Sequence, residues 1–165
     1  MTQKEKRLYL IKYLFAEREE KPFFPESEAE EKRLLRGLFN IRPPKEADSE
    51  FLEIQDSYLK EETMQKGIVR TDGLFPVCGG MYLFSGDITT LDCDAIVNAG
   101  NPALLGCFCP NHGCVDNAIH TFAGVELRLC CNEIMKGGKA APGGAIITPA
   151  FCLPSKYVIH TVGPI

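Results

Sequence analysis

The chain is expected to be an α/β layered domain preceded by a helical extension, and three observations say so. Most charged residues precede Gly73, whereas all eight cysteines and most of the 15 glycines follow it. Before Gly73 apolar residues recur at helical spacing; after it, short apolar runs of strand length alternate with helical ones. At 165 residues, 45% hydrophobic and 24% charged, the chain is long enough for one core with an appendage.

The extension, residues 1–73, reads as three helices. Leu8, Ile11, Leu14 and Phe15 fall on one helical stripe that Pro22 bounds. Ser27 with Glu30 three residues on is a capping-box pattern, opening a helix whose Leu34, Leu35, Leu38 and Phe39 share a face until Pro43 and Pro44 stop it. Phe51, Ile54, Tyr58 and Leu59 mark a third helix, capped by Asp48 or Ser49. These helices are expected to cover the domain, with recognition of a protein substrate as the other role open to them. Glu28, Glu30 and Glu31 read as a solvated helix face.

In residues 74–165 the runs Met81 to Phe84, Ala95 to Asn98, Ala145 to Thr148 and Tyr157 to Val162 have strand length. Val115 to Ala123 and Val125 to Met135 read as helices, the second stopped by Gly137 and Gly138. Ligands of such a domain are expected beyond the carboxyl ends of the strands.

The net charge of −4 and the lack of a Lys/Arg-rich run argue against a nucleic-acid binder. The charged opening MTQKEKRLYLIKYLF is unlike a secretory signal, and no stretch approaches the roughly 18 apolar residues of a membrane span. The expectation is a cytoplasmic protein with reduced thiols. Cys78, Cys93, Cys130, Cys131 and Cys152 are expected to be small buried hydrophobes.

The chemistry concentrates between Asn98 and Gly124. Cys107, His112 and Cys114, five and two positions apart, can reach one zinc from a single loop, and no second Cys or His pair stands nearby to close a tetrahedron. Three protein donors leave a position for water or substrate; the competing reading is a cluster of unrelated thiols. Cys109 and His120 are candidates for a fourth ligand, the first only two residues from Cys107 and the second inside a helix. Asp116 opens the following helix, where it serves either the helix dipole or as a general base facing the metal. Asn98 and Asn101 either build the loop or touch ligand. Asp87, after a strand end, suits either a nucleobase amine or a Gly-Asp turn.

Gly86-Asp87-Ile88-Thr89, Asp94 to Asn101, Leu104-Leu105-Gly106, Val115 to His120 and Tyr157 to Pro164 together resemble the macrodomains, in their ADP-ribosyl hydrolase branch. A glycine-rich run is replaced here by Cys107 to Cys114, which is similar to the zinc-dependent macrodomains of microbes, as is the extension with Asn40-Ile41-Arg42-Pro43-Pro44. The resemblance implies a three-layer α/β/α fold with a mixed central sheet. It implies one Zn2+ per chain on Cys107, His112 and Cys114, with Asp116 activating the nucleophile and Asn101 holding the distal ribose. Asp87 would bind the adenine amine, Ile88 the base through its backbone, and Asn98 would belong to the ligand pocket. Amides at Gly113, Cys114 and Val115 would take the diphosphate at a helix N-terminus. The implied activity is hydrolysis of mono-ADP-ribose from acidic side chains of modified proteins, a glycosidase-type reaction, with a non-catalytic ADP-ribose-binding module as the alternative. Kinship further implies a lipoyl-carrier protein modified by a sirtuin-type transferase as partner. It also implies further helices, strands and a second Gly-rich loop beyond Pro164, so that the chain, ending at Ile165, is expected to hold only the N-terminal portion of the domain.

Overall fold

A computed structural model of the protein describes residues 1–163. Pro164, which closes the motif from Tyr157, and Ile165 lie outside the described residues.

Three helices open the chain: α1 (Gln3–Ala16), α2 (Glu28–Ile41) and α3 (Ser49–Lys66). Each starts at a side chain that supplies an acceptor to an orphan backbone N–H: Thr2 for Glu5, Ser27 for Glu30, Asp48 for Phe51. Their inner faces form one core of Leu10, Ile11, Leu14, Leu35, Leu38, Phe51, Tyr58 and Leu59. Glu31 departs from the expected solvated face. It is buried, and Arg7 of α1 donates to its Oε2 from Nε at 2.9 Å and from Nη2 at 2.6 Å. Packing α1 across the first turn of α2 puts the carboxylate inside, where only a paired charge is tolerable.

After α3 the chain enters short strands. β1 (Val69–Arg70) pairs in parallel with β4 (Leu91–Asp92), so strand structure begins just before the compositional change at Gly73. β2 (Pro76–Cys78) and β3 (Met81–Tyr82) form an antiparallel ribbon around Gly79 and Gly80, both at positive φ. The expected strand Met81 to Phe84 is therefore corrected to a two-residue ribbon edge. Met81, Tyr82 and Leu83 are exposed, because the tight turn pairs this segment with Pro76–Cys78 instead of the central sheet. Cys78 is exposed with the ribbon, contrary to its expected burial; Cys131 and Cys152 are buried, and all eight cysteines are free.

The central sheet has the order β5-β7-β6, from β5 (Ala95–Ala99), β7 (Tyr157–Thr161) and β6 (Ala145–Pro149). β5 and β7 run parallel and β6 and β7 antiparallel, giving the mixed sheet of the expected α/β class. Helices α4 (Val115–Ala123) and α5 (Val125–Met135) pack on the face that carries Ile96 and Val158, through Ile119, Ala123, Leu127 and Cys131. On the opposite face Val97, Ile147 and Tyr157 are exposed. Lys136 takes the left-handed conformation at the end of α5, followed by Gly137 at φ 78°, where the two glycines were expected to stop it.

The extension docks on this unit through its own side chains. Val125 and Cys152 join the core of the three helices. Buried Gln55 of α3 accepts the first backbone N–H of α5, from Val125, at 2.9 Å. Among the described residues no helix is long and apolar enough to cross a membrane.

Candidate active site

The loop from Asn101 to Cys114 lies between the end of β5 and the start of α4, and its sequence makes it turn sharply. Leu104 and Asn111 sit at positive φ, and Gly106 at φ 78°. A Cβ at Gly106 would stand 2.6 Å from Cγ of the buried His120 ring, so only glycine fits there. This turn sets the direction of Cys107. His112 N–H bonds back to the Cys109 carbonyl at 3.2 Å, closing the second half of the loop. Cys114 then serves as the N-cap of α4, its Sγ accepting the Asn117 N–H at 3.4 Å.

These turns bring together the three residues expected to share a metal. The donor atoms of Cys107, His112 and Cys114 lie within 4.8 Å of one another, and Cys107 Sγ is 3.6 Å from His112 Nδ1. Two thiols and one imidazole, half-buried to exposed, are a donor set suited to a thiophilic divalent ion with room for a further ligand. Burial, with Cys107 alongside, pushes the Cys114 thiol up, against the Asn117 amide, which lowers it. Neither candidate fourth ligand joins the set. Cys109 is exposed and contributes only its carbonyl, and His120 points into the core.

Asp116 is close by but faces inward. It is 5% exposed, and its Oδ1 accepts from Asn98 Nδ2 at 2.8 Å, with His120 Nε2 3.6 Å away. Burial pushes its carboxyl above the usual range, opposed by the Asn98 amide and by Arg128. Asn98 is 0% exposed. Its Nδ2 also donates to His160 Nδ1 at 3.1 Å, which leaves the His160 proton on Nε2, facing Thr148 Oγ1 at 3.1 Å. Asn98 thus faces inward, where its side chain holds Asp116 and His160. Burial lowers His160 to about 4 and holds His120 well below the ordinary imidazole range, so both rings are neutral. Among the described residues neither His120 ring nitrogen has a hydrogen-bond partner.

The remaining expected contacts are placed around the strand ends. Asp87 is exposed and caps a 3₁₀ turn, Ile88–Thr90, accepting from Thr89 N and Oγ1 and from Lys66 Nζ at 2.9 Å. Burial works to raise its carboxyl, but Thr89 and Lys66 outweigh it and hold it below the usual range. The structure thus shows the turn cap, with both carboxylate oxygens accepting hydrogen bonds. The Asn101 side chain is committed to the loop, accepting from Ala103 N and donating to the Gly106 carbonyl, both at 3.0 Å. Gly113 is open, with nothing within 4 Å of an added Cβ, and Val115 is the first residue of α4.

No local sequence pattern marks Arg128, whose partners lie far along the chain. Its buried guanidinium donates to the carbonyls of Leu105 at 2.7 Å, of Phe39 at 3.1 Å and of Arg42, and lies 4.3 Å from the Phe108 ring centroid. It therefore ties the metal-type loop to the end of α2, and burial lowers it to about 10.

The Macro domain family matches residues 97–165. The chain is 53% identical over 176 residues to the protein-ADP-ribose hydrolase of Treponema medium, covering 100% of this chain and 66% of that protein. It is 42% identical over 168 residues to the protein-ADP-ribose hydrolase of Staphylococcus aureus strain MSSA476, covering 99% of this chain and 63% of that protein. The chain thus spans somewhat less than two thirds of the length of these relatives. Among solved structures, the Trypanosoma brucei macrodomain in complex with ADP-ribose aligns with a TM-score of 0.53 at 27% identity, covering 86% of this chain and 61% of that one.

Proposed function

We propose, for a chain whose residues 97–165 match the Macro domain family and whose length aligns with protein-ADP-ribose hydrolases, that the protein is a zinc-dependent hydrolase acting in the cytoplasm. It removes mono-ADP-ribose from acidic side chains of modified proteins. The observation that carries this reading is the convergence of Cys107, His112 and Cys114, with donor atoms within 4.8 Å, two residues ahead of Asp116 on α4.

One zinc ion per chain would be held by Cys107, His112 and Cys114, and when bound would supply Lewis-acid polarisation of an oxygen at the distal ribose. In this reading Asp87 accepts the exocyclic amine of adenine and the Ile88 backbone meets the base. The amides from Gly113 to Val115, at the positive end of α4, face the diphosphate. Asn101 exchanges a loop hydrogen bond for the distal ribose. Hydrolysis adds the elements of water across the ester, leaving a hydroxyl on ADP-ribose and a carboxylate on the protein. Asp116 takes the proton that the attacking oxygen gives up. Burial, which raises its carboxyl, brings it nearer the range a general base needs. Asn98 holds that carboxylate in place.

The test is release of free ADP-ribose from a protein mono-ADP-ribosylated on Glu or Asp, by the metal-loaded and the chelated protein. Release only in the loaded sample supports the reading, and equal release in both refutes the zinc dependence. The second reading, a non-catalytic ADP-ribose module, is favoured by the inward hydrogen-bonded position of Asp116. Calorimetric binding without product release would establish it. A lipoyl-carrier protein modified by a sirtuin-type transferase is the partner this kinship suggests, tested by offering that carrier as substrate.

A further inference from the structure

We propose that helix α2 of the N-terminal extension is a preorganising brace for the metal-ligating turn, with Arg36 its principal positioning residue. The inference rests on the reading of Cys107, His112 and Cys114 as a metal site. It goes beyond that reading by assigning the extension a part in metal affinity.

A site built from one short turn must hold that turn in shape before the ion arrives, or part of the binding free energy is spent ordering it. The turn contains Pro110, a positive-φ Asn111 and an open Gly113, and its backbone is fastened at several points by side chains instead of by a sheet. Two residues of α2, one helical turn apart, do the fastening. Arg36 donates from Nη2 to the carbonyl of His112, a ligand residue itself, at 3.1 Å. The same guanidinium donates to Asn117 Oδ1, from Nη2 at 2.8 Å and from Nε at 3.2 Å. Asn117 passes the constraint on: its Nδ2 donates to the Cys109 carbonyl at 3.0 Å and its backbone N–H to Cys114 Sγ at 3.4 Å. One arginine on α2 thus restrains the turn at His112 directly and at Cys109 and Cys114 through a single intermediary.

Asn40 is the second anchor, one helical turn on. Its Oδ1 accepts the backbone N–H of Asn111 at 2.9 Å, while its Nδ2 donates to Thr121 Oγ1 on α4, also at 2.9 Å. Between them Gly37 lets the turn lie close: a Cβ there would come within 3.2 Å of Asn111 Nδ2 and 3.7 Å of Pro110 Cβ. The platform does not move easily, because Leu35, Leu38 and Phe39 of α2 sit in the helical core and Glu31 is pinned by Arg7. Partners that orient metal ligands in this way usually contribute on the order of 10–100-fold in metal affinity.

The test is zinc binding by the full chain in competition with a chromophoric chelator, together with the zinc dissociation rate. Arg36→Ala should bind about 10-fold more weakly than wild type, chiefly through faster dissociation. Arg36→Gln should show the same direction, and serves should the alanine variant lose its fold by circular dichroism. Arg33→Ala changes an exposed residue of the same helix that makes no hydrogen bond to the turn, and should bind as wild type does. Wild-type affinity and dissociation in a folded Arg36 variant would overturn the brace while leaving the metal site intact. Failure of the wild type itself to bind zinc would overturn the metal site, and the brace with it.

Discussion

Replacing Gly106 by alanine tests the local geometry that aims Cys107. Gly106 lies at φ 78°, and its added methyl would meet the His120 ring at 2.6, 2.8 and 2.9 Å. The left-handed conformation costs a non-glycine residue roughly 1–2 kcal/mol, and forcing a methyl into a packed interior costs roughly 1–3 kcal/mol more. His120 cannot swing aside cheaply, since it is buried among Asp116, His160 and the inner residues of α4 and α5. The sum is about 3 kcal/mol, which for a protein of this size lowers Tm by roughly 6–12 °C. Thermal unfolding followed by circular dichroism measures it. Gly113→Ala is the control: nothing lies within 4 Å of the added carbon and its φ is not in the glycine region. It should stay within about 0.5 kcal/mol of wild type. If Gly106→Ala melts with wild type, the packing argument for the turn is wrong.

Three further substitutions probe other parts of the account. Glu31→Ala leaves the buried Arg7 guanidinium with Glu28, 3.4 Å away, as its remaining carboxylate, so the loss in urea unfolding should be about 3 kcal/mol, the lower end for a broken buried pair. Gln55→Ala removes the buried acceptor of the Val125 N–H and should cost about 2 kcal/mol in the same assay, with no change in metal content. Asp116→Ala should reduce hydrolysis roughly 100-fold or more while calorimetry still detects ADP-ribose; full turnover in this variant would remove Asp116 from the chemistry.

The parts of the fold that could be read from sequence are those set by local rules. Ser27 and Asp48 announce helix starts because their side chains satisfy N–H groups three residues on, and they do so in the structure. Helices Val115–Ala123 and Val125–Met135 and the three central strands follow from periodicity. The grouping of Cys107, His112 and Cys114 was legible because all three belong to one turn. What could not be read depends on partners far along the chain. Arg128 meets the carbonyls of Phe39 and Arg42, and Arg36 meets His112 and Asn117; no local pattern sets such a register between helices. Asn98 is an intermediate case. Strand alternation puts it on the face of Ile96, and pairing with His160 in β7 confirms that the face is the buried one. That parity points inward. Met81 to Phe84 misled because an apolar run of strand length does not reveal whether a Gly-Gly turn will pair it locally.

In the proposed site two thiolates and one imidazole of a single turn share one ion. X-ray absorption at the zinc edge of the metal-loaded protein tests it most directly. Two sulfur scatterers at about 2.3 Å and one imidazole nitrogen at about 2.0–2.1 Å are expected, with a lighter atom completing the shell. A shell of oxygen and nitrogen without sulfur, or an unchanged spectrum in Cys107→Ser, would contradict it.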